Sequence, residues 1–376
     1  MVVPTSTWLQ AGVLSVLASA ALLLQAAEPA VAQDASSSVY VRTDSDHTTV
    51  VTPRIRVGSK VEPATRVDLT YSADVWTSAS IDIRTSASKT AVTEQRDELN
   101  VGASHELEDG SLTASYRFST EPDYKSHGVT LGASRDFAQK NTTLALTGSA
   151  LLDRVGRAGD PAFSRNLRTF VLRASATQLL DNVTWIQGIY EISYASGYLA
   201  SPYRFVGIGP ASPRCTGEGT VCVRESLPDQ RTRHAFALIA RRALTEHIAL
   251  GLSYRFYIDG WNIKSNTAQA TVSVMPSTTT RVSLEYRFYT QTAARYYQVN
   301  IPSLAALGRF TTRDKELSPF MSHALTLNID QTFHVGDTSV VHLAAAVGPT
   351  FYMFSDFFAY DHLRALEATI AARVEL

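Results

Sequence analysis

From Leu366 to Leu376 the chain alternates without a break. Leu366, Ala368, Ile370, Ala372, Val374 and Leu376 are apolar, and Glu367, Thr369, Arg373 and Glu375 between them are polar. Period-two alternation describes a strand with one face in an apolar medium and the other in water. The pattern continues to the final residue, where a soluble domain usually frays, and ends on a large apolar side chain. Such a strand is expected to close a bacterial outer-membrane barrel against its first strand. The same alternation gives facing elsewhere. Over 247–261, Ile248, Leu250, Leu252, Tyr254, Phe256 and Ile258 are expected to face lipid, while His247, Ser253, Arg255, Tyr257, Asp259 and Trp261 face inward. Over 281–291, Val282, Leu284, Tyr286 and Phe288 face outward, and Arg281, Ser283, Glu285, Arg287, Tyr289 and Gln291 inward. A slip of one residue would drive arginines into hydrocarbon at about 2–4 kcal/mol each, which fixes the register.

Turn signals divide the chain into paired segments. Tight connections at Lys60-Val61-Glu62-Pro63, Glu108-Asp109-Gly110, Gln139-Lys140-Asn141, Leu180-Asp181-Asn182, Leu244-Thr245-Glu246, Pro276-Ser277-Thr278 and Val335-Gly336-Asp337 alternate with longer ones. The longer ones lie around residues 80–91, 153–165, 199–228, 295–318 and 355–361. Short periplasmic turns alternating with long outer loops are the layout of an outer-membrane barrel. The fold class predicted is all-β: a transmembrane, antiparallel, up-and-down β-barrel of about sixteen strands. Loss of the first strand near Val39–Asp44 or of the hairpin near Glu121–Tyr124 would make it fourteen. Aromatics that gather near the outer strand ends, such as Tyr190, Tyr194, Tyr254, Phe256, Tyr286 and Phe288, fit an interfacial girdle.

The N-terminus supports export. A small and apolar run from Ala11 to Leu24 precedes Pro29 and an A-x-A site, Ala30-Val31-Ala32, so residues 1–32 read as a cleavable signal peptide and 33–376 as one barrel domain. The chain has 34 Lys+Arg and 35 Asp+Glu, and removal of Glu28 makes the counts equal, which gives no support for a nucleic-acid partner. A hydrophobic content of 45% is too low for a helical membrane protein and suits a barrel with a wet lumen. Cys215 and Cys222 lie close together in the longest expected loop, and in an exported protein they are expected to form a disulfide.

Four segments carry a family resemblance: Ser196–Arg204 (SGYLASPYR), Pro228–His234 (PDQRTRH), Tyr254–Trp261 (YRFYIDGW) and Tyr286–Gln291 (YRFYTQ). The chain resembles the bacterial family of unknown function DUF3570 over about residues 180–300, and in layout on the flanks. The resemblance implies a Gram-negative outer-membrane β-barrel and supplies no substrate. Phe256 and Phe288 stand where Tyr is common in the family, at positions that face outward.

The best-defined chemistry is an inward charge set on neighbouring strands: Glu191, Arg231, Arg233, Arg255, Asp259, Glu285 and Arg287, with Tyr257, Tyr289 and Gln291 among them. Arginines opposed by carboxylates form a constriction in a pore, or a salt-bridge network that stiffens its wall. The loop from Leu199 to Ser226 either narrows the pore or is a surface loop stapled against proteolysis. The functional expectation is a porin-like channel passing small hydrophilic solutes across the cell outer membrane. A plugged barrel serving as a scaffold for a partner is the alternative. A lipid-facing hydrolase built on Ser196 and His234 is a weaker one, since no third residue orients the histidine and no G-x-S-x-G turn is present. No enzyme is expected, and no cofactor or metal, because the nine histidines are scattered without a ligand motif. Outer-membrane lipid and a small solute are the partners expected, and no protein partner is identified. Thiol labelling of the folded, non-reduced protein should find neither Cys215 nor Cys222, and stoichiometric labelling of both would show that the staple does not form.

Overall fold

A computed structural model describes residues 33–78, 92–209, 215, 221–299, 301–336 and 338–376. The signal peptide expected over 1–32, and the outer connection expected around 80–91, lie outside the described residues. The first half of the chain forms β1 (Asp34–Asp44), β2 (Thr48–Glu62), β3 (Thr65–Ser78), β4 (Val92–Leu107), β5 (Gly110–Glu121), β6 (Tyr124–Phe137), β7 (Thr142–Val155), β8 (Arg165–Asp181) and β9 (Thr184–Gly197). A short hairpin follows, β10 (Phe205–Gly207) with β11 (Cys222–Arg224). The second half forms β12 (Gln230–Ala243), β13 (Ile248–Asp259), β14 (Lys264–Ser277), β15 (Thr280–Gln291), β16 (Phe320–Val335), β17 (Ser339–Phe354) and β18 (His362–Glu375).

All strands except β10 and β11 join one closed antiparallel barrel, in which β12 follows β9 and β18 closes on β1. Sixteen strands is the number the alternation predicts, and both uncertain segments are present as β1 and as the β5–β6 hairpin. β1 begins five residues earlier than expected, at Asp34, because Ala35–Ser38 pair with both β18 and β2. The tight connections all fall at one end of the barrel. Residues 33 and 376 meet there, where Leu376 N donates to Gln33 O at 3.0 Å.

Register confirms the facing. Outward residues such as Leu131, Leu152, Leu238 and Leu252 are more than half exposed, forming an apolar band. The inward residues are polar. Asp34 is held by Arg66, by Arg56 at 3.5 Å and by Arg373 at 3.4 Å, so one carboxylate ties β1 to β2, β3 and β18 at the closing seam. On β13, Gly251 lies opposite Arg241 of β12, and a Cβ there would occupy the space of the guanidinium. That glycine keeps the lumen wide enough for the arginine.

At the long-loop end, the connections after β9 and β15 fold together into a cap. Ile208 bridges to Ile301 and Ser226 to Thr311, and Val206 and Ile301 are fully buried between them. A second core joins Trp261, Ile263, Ala294, Tyr297 and Leu317, packed down onto the inward ring of Tyr257. Cys215 and Cys222 are bonded beside Phe205, closing the hairpin. On one side the cap reaches the β5–β6 connection, where the Tyr203 hydroxyl donates to the Asp123 carboxylate. On the other it reaches the β17–β18 connection, where Tyr297 donates to Asp356 O at 2.5 Å and Arg313 lies 3.6 Å over the Phe358 ring. Those rim positions lie six strands apart one way round the barrel and ten the other, so the cap crosses the mouth.

Arg204 rivets the two halves of the cap, 3.7 Å from Glu225 and 3.5 Å from Asp314. Burial pushes the Glu225 carboxyl up to about 7, against the pull of Arg204 and with the push of Asp314; Thr312 and the Ser201 backbone also hydrogen-bond to it. A carboxyl whose folded pKa exceeds its ordinary value of 4.5 stabilises the packed state most below that value, and the contribution is lost as pH rises through about 7. Hydrogen exchange over residues 204–206 and 311–314, corrected for intrinsic rates, should therefore quicken between about pH 5 and 8. Glu225→Gln should flatten that dependence; an unchanged pH profile in the variant would refute the assignment.

Candidate functional site

The inward charge set sits on the lumen wall of β9, β12, β13 and β15, and the structure divides it in two. One part is tied up in contacts that hold the fold. Arg231 donates to Asp259 Oδ2 through Nε at 2.9 Å and Nη2 at 2.5 Å, and its guanidinium lies 4.2 Å over the Trp261 ring. Tyr257 donates to the same oxygen at 2.8 Å. Asp259 Oδ1 accepts from the backbone N–H groups of Trp261 and Ile263 at 2.9 and 3.0 Å, shaping the turn into β14. Arg233 lies opposite Asp259 in the β12–β13 register and shares a hydrogen bond with Tyr257. Glu191 is held by Arg173 of β8, at 2.9 Å to Nε and 2.6 Å to Nη2. Gln291 donates to Glu316 O and Ser318 O at 3.0 and 2.7 Å and accepts from Tyr289 at 2.6 Å, which pins the descending limb of the cap to β15.

The other part faces the lumen. Arg255 and Arg287 have no carboxylate within ion-pair distance among the described residues. Each lies over the tyrosine two positions on, Tyr257 at 5.8 Å and Tyr289 at 5.5 Å. Glu285, two residues along β15 from Arg287, accepts from Thr271 at 3.5 Å. It lines a cavity of about 510 Å³ whose wall runs from Arg241 and Gly251 round to Thr369 and Ala371 of β18. The set thus changes from clamp to open wall over a few rows of the barrel, toward the short-turn end.

Two features were not anticipated. The outward Tyr-Arg-Phe motif occurs a third time, at Tyr116-Arg117-Phe118, and each copy falls at the same place in a twelve-residue strand. In each the tyrosine hydroxyl meets a polar residue on the next strand: His127 Nδ1 at 2.7 Å, Asn266 Oδ1 at 2.6 Å and His323 Nδ1 at 2.7 Å. The repeat was visible in the sequence; the partner required the register. The second feature is the apolar content of residues 291–320, where Ile301 and Leu317 mark a packed element and not a solvated loop.

The serine–histidine pair is not assembled. Ser196 lies opposite Gln230, and His234 opposite Ile192, so the two are offset by about 13 Å along the strands. His234 Nδ1 instead meets the Tyr190 hydroxyl at 2.9 Å. Among the described residues no group of three or more His, Cys, Asp or Glu is arranged to hold a metal.

A search of solved structures returns bacterial outer-membrane barrels at very low identity. A bacterial polysaccharide outer membrane secretin is similar at 8% identity and a TM-score of 0.49, with 92% of this chain and 99% of that one covered. Pseudomonas aeruginosa OprD is similar at 8% identity and a TM-score of 0.46, over 92% and 95% of the two chains. The siderophore receptor PirA from Acinetobacter baumannii gives 8% and 0.45, over 85% of this chain and 52% of its own, so the chain spans about half the length of that receptor. No curated protein matches the sequence. The family model described as a protein of unknown function, DUF3570, matches residues 30–169 and 162–345. With most of its length matched and the barrel closed as that resemblance implied, the chain belongs to the DUF3570 family.

Proposed function

We propose that this protein is an outer-membrane channel of a Gram-negative bacterium, passing small hydrophilic solutes through an arginine-lined lumen. The observation that carries the reading is the cavity of about 510 Å³, walled by strands from β12 round to β18, where Arg241, Arg281, Glu285, Asn328 and Asp330 stand among small residues. Arg255 and Arg287 continue that wall toward the cap, and a fixed positive charge in a narrow wet space favours anions. Membrane insertion is supported by the outward leucines, since so extended an apolar band is unfavourable in water. The cap argues for controlled entry, because it ties together sides of the rim six strands apart. The same cap favours a second reading, a closed barrel that presents the cap to a docking partner.

Planar-bilayer recording of the purified full-length protein separates the two. A channel should show discrete conductance steps with anion preference in a salt gradient. Arg255→Ala or Arg287→Ala should move the reversal potential toward cation selectivity, with a stability loss of about 0–1 kcal/mol, because lumen water solvates what remains. Folded protein that inserts but does not conduct would reject the channel and favour docking.

A further inference from the structure

We propose that the cap-side half of the lumen is a binding lane for anions that carry a flat ring, with Arg255 and Arg287 holding the charge and the aromatic wall of β15–β17 holding the ring. This deepens the channel reading and rests on it for the purpose of the lane, although binding can be measured without conduction. Inward positions on β15, β16 and β17 bring Tyr289, Phe320 and Tyr352 together, with ring centroids 5.3 Å apart for the first pair and 6.1 Å for the second. Phe354 extends the wall at 5.3 Å from Phe320, and Phe320 and Tyr352 pack on one side against the cluster of Phe354, Phe357 and Leu363, which leaves half-buried Tyr289 as the ring nearest the arginines. Toward the short-turn end the same strands present small or polar residues to the lumen, Ser283 and Asn328 on β15 and β16 and Ala344 and Ala346 on β17. Rings turned toward water are costly unless something flat lies against them.

The charges match that wall. Arg42, which stands over Tyr352, is neutralised by Asp44 at 3.5 Å and Glu367 at 3.8 Å, and Arg231 by Asp259. Arg255 and Arg287 have no such partner among the described residues. Arg255 is level with Thr267 and Tyr289, so the two arginines stand two strands apart and two residues out of level. Their backbones are about 12 Å apart, a span that two arginine side chains can still close on one carboxylate. Between them β14 presents Thr267 and Gln269, which hydrogen-bond without adding charge. A ring that stacks on the guanidinium–tyrosine pairs while its carboxylate meets the fork satisfies both surfaces at once.

Benzoate is the probe, with acetate (charge without ring) and benzylammonium (ring with the opposite charge) as comparators. Saturation-transfer NMR on the full-length barrel in deuterated detergent should show saturable benzoate binding, with both comparators about tenfold weaker. Tyr289→Leu, which leaves the charge in place, should bring benzoate down to the affinity of acetate. The Arg255→Gln/Arg287→Gln double variant should lose about tenfold for benzoate. Heat-dependent gel mobility verifies that each variant is folded. Equal binding of benzoate and acetate, or a double variant that binds benzoate as the parent does, would overturn the lane. Conductance without benzoate preference would also reject the lane and leave the channel standing. Benzoate binding that follows the arginines without any conductance would support the lane and reject the channel.

Discussion

Closure of the sheet is the constraint on which the rest depends. β1 pairs with β18 from Asp34 opposite Glu375 to Asp44 opposite Ala365, so no strand of the barrel is left with an unpaired edge. Only a closed sheet satisfies every strand's backbone groups in a medium without water. The seam is reinforced from within, where Asp34 draws in arginines from β2, β3 and β18. A carboxylate almost wholly enclosed by guanidinium groups joins strands from the two ends of the chain. Its removal would leave Arg66 facing Arg56 and Arg373, which keep Asp68 and Glu375 as their other partners.

Once the sheet is closed, the pleat assigns every side chain to one of two media. Arginines in the middle of the strands are therefore inside, outward ones such as Arg135 and Arg242 near the short turns standing at strand ends, and what distinguishes the inward ones is their neighbours. Arg231 beside Asp259 and Arg173 beside Glu191 are paired across adjacent strands and serve the wall. Arg255 and Arg287 occupy equivalent places in the Tyr-Arg-Phe motif, yet lie between Ala237 and Thr267 and between Gln269 and Ala324, each over a tyrosine ring. The motif thus does two jobs with one alternation: its tyrosine and phenylalanine join the outward band while its arginine faces the lumen. That arginine is paired with Glu98 in the Arg117 copy and is without a carboxylate partner among the described residues in the other two.

The cap adds a second level of organisation. Two connections, each too apolar to remain solvated, bury their side chains against each other and against the lumen rim. The Cys215–Cys222 bond closes a short loop, worth about 2–3 kcal/mol of chain entropy, and holds the hairpin that supplies Val206 and Glu225's neighbours. Because Gln291 and Tyr257 reach into the cap from barrel strands, the state of the mouth and the packing of the lumen wall are mechanically linked.

The amino-acid sequence by itself determined the barrel, its strand number and the facing of its strands. Strand periodicity and turn chemistry are local, and arginine cannot be accommodated on an apolar face. It also determined the candidate lumen residues and the proximity of the two cysteines. Tertiary structure alone decided which of those residues are available. Asp259 is consumed by Arg231 and by the turn at Trp261, and Glu191 by Arg173, because pairing depends on which residues face each other across strands. It also separated Ser196 from His234, which share a face but not a level. The cap was the least legible part. Its contacts join residues about a hundred positions apart in the chain, such as Ile208 with Ile301, through side chains with no strand period to announce them.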